Sequence, residues 1–470
     1  MSCLFKFKKN ESVFIIKTLV FILDTLYNIV SGVIIMFFVA KFGGSSLANA
    51  SQFKKVKEIV LADERRRLIV VSALGKRNKE DSKITDLLYL LHAHARYSVP
   101  SDNIFNMIKE RYLEVKCELG LNCDIDSEFD EIAKRLTKDA AADYIVSRGE
   151  YITAKIMAEY LGFTFVDAQD VIAFGYDGLI DQARTSELID ANFRKYGKIV
   201  IPGFYGAYPN GAIKLLSRGG SDITGSLAAK AISASMYENW TDVSGILMAD
   251  PRIVDSPKRI KQITYSELRE LAYMGANVLH EETIFPVQES NIPINILNTN
   301  DPKNPGTVIT QDCDDKSQII TGIAGKKNFT SFTITKSHFC RKITIIRQIL
   351  QIFEKYKVNV EHIPSSIDSF SIIVSSDEVE KCIYDLVSDI KKEKEVSDVQ
   401  ITDQIALVAV VGRNMATKAG ISGKLFAVIG NNEINIKTIA QGLQELNIIV
   451  GVDNKDFEKT IKVIYENFVA

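Results

Sequence analysis

A chain of 470 residues with 46% apolar and 25% charged side chains has ample material for a buried core and, by length, for about three domains. Its 57 basic and 59 acidic residues leave a formal charge of −2, which carries no bias toward nucleic acid or an anionic membrane as partner. Six scattered cysteines, none in a Cys-x-x-Cys pair, and five histidines argue against a zinc site or a disulfide framework and fit reduced thiols in a cytoplasm.

The first element to interpret is the apolar stretch from Val13 to Ala40. Lys17 and Asp24 interrupt it, and the uncharged run from Thr25 to Ala40 falls short of the roughly 20 residues a membrane span needs. The run ends directly in a glycine-rich segment, so Ile34 to Ala40 is expected to be a buried strand delivering that segment. Met36 lies just before the strand, and residues 1–35 are expected to be an extension outside the core fold.

From residue 36 to about 318, short apolar runs alternate with amphipathic stretches. Leu68–Val71 and Lys198–Ile201 are expected strands, and Asp143–Leu161 and Ser221–Ala234 are expected helices. That alternation predicts an α/β fold with a mostly parallel sheet covered on both faces.

Four segments in this region have residue types suited to chemistry. Lys41-Phe42-Gly43-Gly44-Ser45-Ser46 runs from a strand through adjacent glycines to a helix, the layout of an anion site in which backbone amides and the helix dipole meet a phosphate. Its spacing is neither that of a Walker A loop nor that of the dinucleotide fingerprint, and alone it reads equally as a glycine turn with a solvated lysine. Ser217-Arg218-Gly219-Gly220-Ser221-Asp222 repeats the layout. Arg218 can grip a carboxylate or phosphate in bidentate fashion, and Asp222 can orient Lys41 or meet Mg²⁺ through water, although Ser221 would also serve as a plain helix cap. Ser147-Arg148-Gly149-Glu150 is expected to lead into a helix, where a carboxylate either favours the dipole or recognises an ammonium group. Trp240-Thr241-Asp242-Val243, with Asp250-Pro251-Arg252 beyond it, has the turn residues of a loop after a strand, the place where α/β proteins bind ligands.

After residue 318 the character changes to an internal repeat at an offset of about 76 positions. Phe332-x-Ile334 matches Val408-x-Val410, Val358-Asn359-Val360 matches Ile434-Asn435-Ile436, and Ile372-Ile373-Val374 matches Ile448-Ile449-Val450. Two copies of one small α+β module are expected, over residues 319–400 and 401–470.

Taken in order, these segments, together with Gly275-Ala276-Asn277-Val278-Leu279-His280, resemble the aspartate kinases of the amino-acid kinase superfamily, and the terminal repeat is similar to that family's paired ACT modules (βαββαβ). The resemblance covers residues 36–470 and implies a catalytic domain over 36–318. It implies phosphorylation of the side-chain carboxylate of L-aspartate by ATP with Mg²⁺, toward lysine, threonine and methionine. Lys41 would contact the transferring phosphoryl group and Asp222 would organise it. Ser72, Thr85, Glu150, Arg218 and Ser221 would hold aspartate. Lys41, Gly43, Gly44, Ser45, Thr241, Asp242, Leu247, Arg252, Asn277 and Val278 would hold the nucleotide. Lys336, His338, Val360, Glu361 and Ser366 would bind an end-product amino acid, lysine foremost, as feedback inhibitor. The resemblance also implies a homodimer or homotetramer.

The chain departs from the family pattern in a polar insert, Lys76 to Lys83, before Thr85, in Asn277 where lysine is frequent, and in Leu247 where an aromatic is common. Two alternatives stand beside this reading: another amino-acid kinase, and an amino-acid-sensing protein of the same fold with weak catalysis.

Overall fold

The structure is a computed structural model that describes residues 36–469 apart from 218, 277, 278, 280, 314–318, 336–342, 395, 414, 416, 417 and 442–445; the side chains of Glu281, Glu282 and Ile343 are also outside the description. The expectation for residues 1–35 lies outside the described residues. The chain divides into two compact units, one comprising residues up to Ile246 with Leu279–Asp312, the other comprising Leu247–Val278 with Cys313 onward.

The first unit is built on a sheet whose strands lie in the order Thr164–Phe165, Ile199–Pro202, Arg66–Val71, Phe38–Phe42, Met236–Thr241, Ile294–Asn298 and Thr307–Thr310. All neighbouring pairs are parallel except the last, which is antiparallel. Phe38–Phe42 is buried along its whole length, as is Ile199–Pro202, because helices cover both faces. Helix Ala50–Leu61 starts at Asn49, whose side chain accepts from the Gln52 amide, and buries Phe53, Val56, Ile59 and Val60. Helix Ala142–Leu161 is buried on most of its circumference, including Ser147 to Glu150. Helix Gly220–Ala231 lies over the sheet with Gly225, Leu227, Ala228 and Ala229 buried. The parallel arrangement expected from the alternating pattern is the one observed.

The second unit carries a five-stranded antiparallel sheet in the order Ser369–Ser375, Gly322–Thr335, Asp398–Val411, Asn447–Asp453, Thr438–Ala440. Its two long central strands pair twice, in separate stretches. Gly322–Lys326 lies against Leu407–Val411, and Ser331–Thr335 lies against Asp398–Thr402, with register shifts between. Helices Ile343–Lys355 and Ile383–Lys392 share a core with the second stretch through Phe332, Ile349, Phe353, Phe370, Ile372, Leu386 and Ile390. Helices Ile421–Asn431 and Phe457–Phe468 pack on each other and belong with the first stretch.

The repeat read from the sequence is therefore present, but its halves are nested rather than consecutive. The expected boundary at 400/401 falls inside one continuous strand, and Gly322–Lys326 pairs within the later module although it precedes the earlier one. The match Phe332/Val408 was legible because both are core residues on paired strands; strand sharing leaves no mark on apolar periodicity. The segment after Val360 forms isolated bridges, His362 with Ile373 and Ser365 with Phe370.

Candidate active site

Four parallel strands of the first unit end on one side of the sheet, and their following residues surround a cleft of about 590 Å³. Gly43 to Ser45 follow the first strand, Ser72 to Lys76 the second, Phe204 the fourth and Asp242 the fifth; the start of helix Gly220–Ala231 completes it. This is where α/β sheets place ligands, because strand carboxyl ends and helix amino ends converge there.

Lys41 is buried on the first strand, in register with Val70 and Asn239 on its neighbours. Its Nζ lies 2.5 Å from Asp222 Oδ1. Asp222 stands in the first turn of its helix, which opens at Gly219 with φ of 78°, a left-handed conformation that glycine adopts without strain. Ser221, one residue earlier, lines the cleft beside it.

Gly43 to Ser45 turn tightly after the strand. The Gly43 amide donates to Trp240 O at 3.0 Å, and Gly44 begins a short 3₁₀ turn. The Gly75 amide donates to Gly44 O at 2.9 Å, so two loops touch backbone to backbone; a Cβ on Gly75 would overlap the Gly44 carbonyl. Only glycine permits this approach. Phe204, also lining the cleft, holds a φ of 79°, a conformation costly for an aromatic residue and found mostly at functional sites.

Glu150 faces the cleft from the third turn of helix Ala142–Leu161, not from a helix start as the sequence suggested. The helix begins eight residues earlier, at Ala142, where nothing as conspicuous as Arg-Gly-Glu marks it. Glu150 is 4% exposed, and its Oε2 has no hydrogen-bond partner among the described residues. Burial pushes its carboxyl up to about 8, against the opposing influence of the Ala73 backbone and of Arg148.

The polar insert does not displace Thr85. Arg111, buried in helix Asp102–Glu118, donates to Ser82 O at 2.7 Å and to Gly75 O at 2.6 Å, which pins the insert at both ends. Thr85 follows in the first turn of helix Ile84–Arg96 and lines the cleft.

The cleft thus brings together Lys41, Gly43, Gly44, Ser45, Ser72, Thr85, Glu150, Ser221, Asp222, Thr241 and Asp242. Arg218, Asn277 and Val278 lie outside the described residues. Leu247 and Arg252 belong to the second unit, where the Arg252 guanidinium is engaged by the Asp250 carboxylate through Nε and Nη2. Sequence reasoning missed Gly75, Lys76, Lys83 and Phe204 as cleft residues, and it missed Asn239 beside Lys41. No local pattern marked them: Asn239 stands beside Glu238 in the mixed polar and apolar strand Met236–Thr241, and Gly75 lies in a loop.

In the second unit, Glu361 donates its amide to Ile373 O at 2.9 Å, and its carboxylate accepts from the Tyr273 hydroxyl. The Ser366 amide donates to Ser369 O at 2.8 Å, and Val360 is half-buried. Lys336 and His338 lie outside the described residues.

Among the described residues no three His, Cys, Asp or Glu side chains cluster as a metal cage, and no helix is long and apolar enough to cross a membrane. Besides Glu150, two carboxylates, Asp222 and Asp242, line the cleft. That donor set fits a Mg²⁺ ion held mainly by phosphate oxygens and water.

The Amino acid kinase family matches residues 36–298, and the ACT domain family matches residues 408–468. Aspartokinase 3 of Bacillus subtilis (strain 168) is 32% identical over 451 residues, spanning 92% of this chain and 98% of the relative. The crystal structure of Clostridium acetobutylicum aspartate kinase, described as an allosteric enzyme, superposes with a TM-score of 0.86 at 47% identity, covering 92% of this chain and 100% of the other. Escherichia coli aspartokinase III, solved in complex with lysine and aspartate in a T-state, superposes with a TM-score of 0.72 at 25% identity over 92% of this chain and 100% of that one. The same E. coli protein has also been solved with aspartate and ADP in an R-state.

Proposed function

The chain belongs to the aspartokinases of the amino acid kinase family and is an aspartate kinase with ACT-domain regulation, and from that premise we propose the roles by which its residues move the γ-phosphoryl group of ATP to the side-chain carboxylate of L-aspartate. The observation that carries these roles is one cleft containing the Lys41–Asp222 ion pair and the unpartnered oxygen of buried Glu150.

Glu150 receives the α-ammonium of aspartate, while Ser72, Thr85 and Ser221 bind its carboxylates together with Arg218. The side-chain carboxylate is then aimed at the phosphoryl group, with the triphosphate on Gly43, Gly44 and Ser45 and the nucleoside toward Thr241 and Asp242. Leu247, Arg252, Asn277 and Val278 are further candidates for nucleotide contact. Lys41 neutralises charge on the transferring group, and Asp222 holds Lys41 until phosphate arrives. The nucleophile is already an anion, so alignment and charge neutralisation are what the protein must supply. Asp222 and Asp242 would hold Mg²⁺ when it is bound, and the ion would supply neutralisation of the phosphate charge. The product is 4-phospho-L-aspartate, a precursor toward lysine, threonine and methionine.

Feedback control acts through the C-terminal modules. Lysine is the effector that best fits Val360, Glu361 and Ser366 with Lys336 and His338, because the Glu361 carboxylate suits an ammonium group. The E. coli relative bound to lysine and to ADP in two states supports a two-state mechanism in which the effector favours the less active state. Sheet edges in the modules suit a homodimer or a larger assembly, and a cytoplasmic setting fits the composition.

An assay coupling aspartate-dependent ADP formation, run with lysine, threonine and methionine added separately, tests all of this. Turnover with aspartate, inhibited by lysine, is expected. Tight amino-acid binding without turnover would instead favour a sensor.

A further inference from the structure

The strand Met236–Thr241 places alternate side chains toward the opening of helix Gly220–Ala231. Tyr237 donates its hydroxyl to Asp222 O at 3.3 Å, and the next residue on that face, Asn239, meets the Asp222 side chain. Asn239 is 4% exposed and sits opposite Lys41 in the parallel register. Its Nδ2 donates to Asp222 Oδ1 at 2.8 Å, and its Oδ1 accepts from Lys41 Nζ at 3.5 Å. The orientation of the amide is set by its neighbours, since the reverse would aim an oxygen at a carboxylate and an NH₂ at an ammonium.

A carboxamide donates to a carboxylate through its NH₂ and accepts from an ammonium through its oxygen while remaining uncharged. The Lys41–Asp222 pair is neutral as a unit, and a third charge in that buried place would unbalance it. When phosphate oxygens enter, the Lys41 ammonium must turn from Asp222 toward them. Asp222 would then be a half-buried anion that has lost its closest cation. The Asn239 amide remains on Asp222 whichever way Lys41 points.

We propose that Asn239 is a positioning residue for phosphoryl transfer, holding Asp222 in place and lending Lys41 a second acceptor, so that the lysine can move between aspartate and phosphate without rearranging the helix start. The proposal rests on the roles given above to Lys41 and Asp222.

Three variants of the full chain test it: Asn239→Leu, Asn239→Asp and, as a control on the site, Lys41→Ala. Asn239→Leu is expected to lower kcat about 10- to 100-fold, the scale of one hydrogen bond to a charged group. The KM for aspartate should stay within about threefold, because Glu150 and its neighbours are untouched. Asn239→Asp keeps the shape but replaces the donor with a second carboxylate. Its kcat should fall and then recover toward wild type as pH is lowered, because a proton shared with Asp222 restores a donor. A purely structural role would not produce that recovery, and it keeps the test open if Asn239→Leu misfolds. A folded Asn239→Leu enzyme with wild-type kcat, or an Asn239→Asp profile parallel to wild type, overturns the proposal. Normal turnover by Lys41→Ala would overturn the underlying site roles instead; an inactive Lys41→Ala beside fully active Asn239 variants would remove the proposal alone.

Discussion

Glu150 combines two properties that ordinarily exclude each other in a glutamate: deep burial and an oxygen with no partner among the described residues. Its carboxyl, pushed up to about 8 by burial, is largely protonated at neutral pH in the empty cleft and must ionise to receive an ammonium group. For wild type, kcat/KM for aspartate should therefore rise with pH through about 8. Glu150→Gln should flatten that rise and lower kcat/KM by at least ~100-fold, measured by initial rates across pH. The same shift acts on stability. The folded carboxyl holds its proton above the unfolded value of 4.5, so its contribution is fully present below 4.5 and is lost as pH rises through about 8. Glu150→Gln stays neutral throughout, so its unfolding temperature relative to wild type should be higher at about pH 9 than at about pH 6, as thermal melts at the two values would record.

At the scale of elements, the loops do the positioning, and two contacts expose how. The Gly44–Gly75 approach fixes the Gly43–Ser45 loop against the loop that follows strand Arg66–Val71. Gly75→Ala should force them apart at a cost of about 1–3 kcal/mol, visible as a lower unfolding temperature together with a raised KM for ATP. In the second unit, the Tyr273 hydroxyl occupies the Glu361 carboxylate that an effector ammonium would use. Tyr273→Phe removes that competitor, so inhibition by lysine should set in at a several-fold lower concentration while uninhibited turnover is unchanged; a dose–response curve checks both.

These contacts also show what the sequence could convey. Lys41, the glycines and Asp222 were legible because a strand running into glycines and a helix start is a local pattern with a physical meaning. Glu150 was legible by type but misplaced within its helix, since burial around most of a helix's circumference blurs the periodicity that marks its ends. Asn239 and Gly75 were not legible. Asn239 acts on a lysine 198 residues away, through strand register that no local pattern encodes.

At the scale of the molecule, the first C-terminal module has a core of its own. Phe353 is buried there, edge-on to Phe332 at 5.5 Å. Phe353→Ala should destabilise that module by ~3–5 kcal/mol, read as an earlier unfolding step in calorimetry.

The paired stretches of the long strands have a consequence for biosynthesis. As the chain leaves the ribosome, Gly322–Lys326 emerges long before Leu407–Val411, the segment it must join. Everything between them makes up the first module, whose own strands bring Thr335 beside Asp398. Once that module closes, the late-arriving partner is delivered to its place by a folded tether rather than a slack loop, and most of the loop-closure entropy has already been spent. The inner module is in effect the clasp on which the outer one is threaded. Slow or faulty folding of the inner module would leave the early strand as an unpaired edge, open to pairing with another nascent chain.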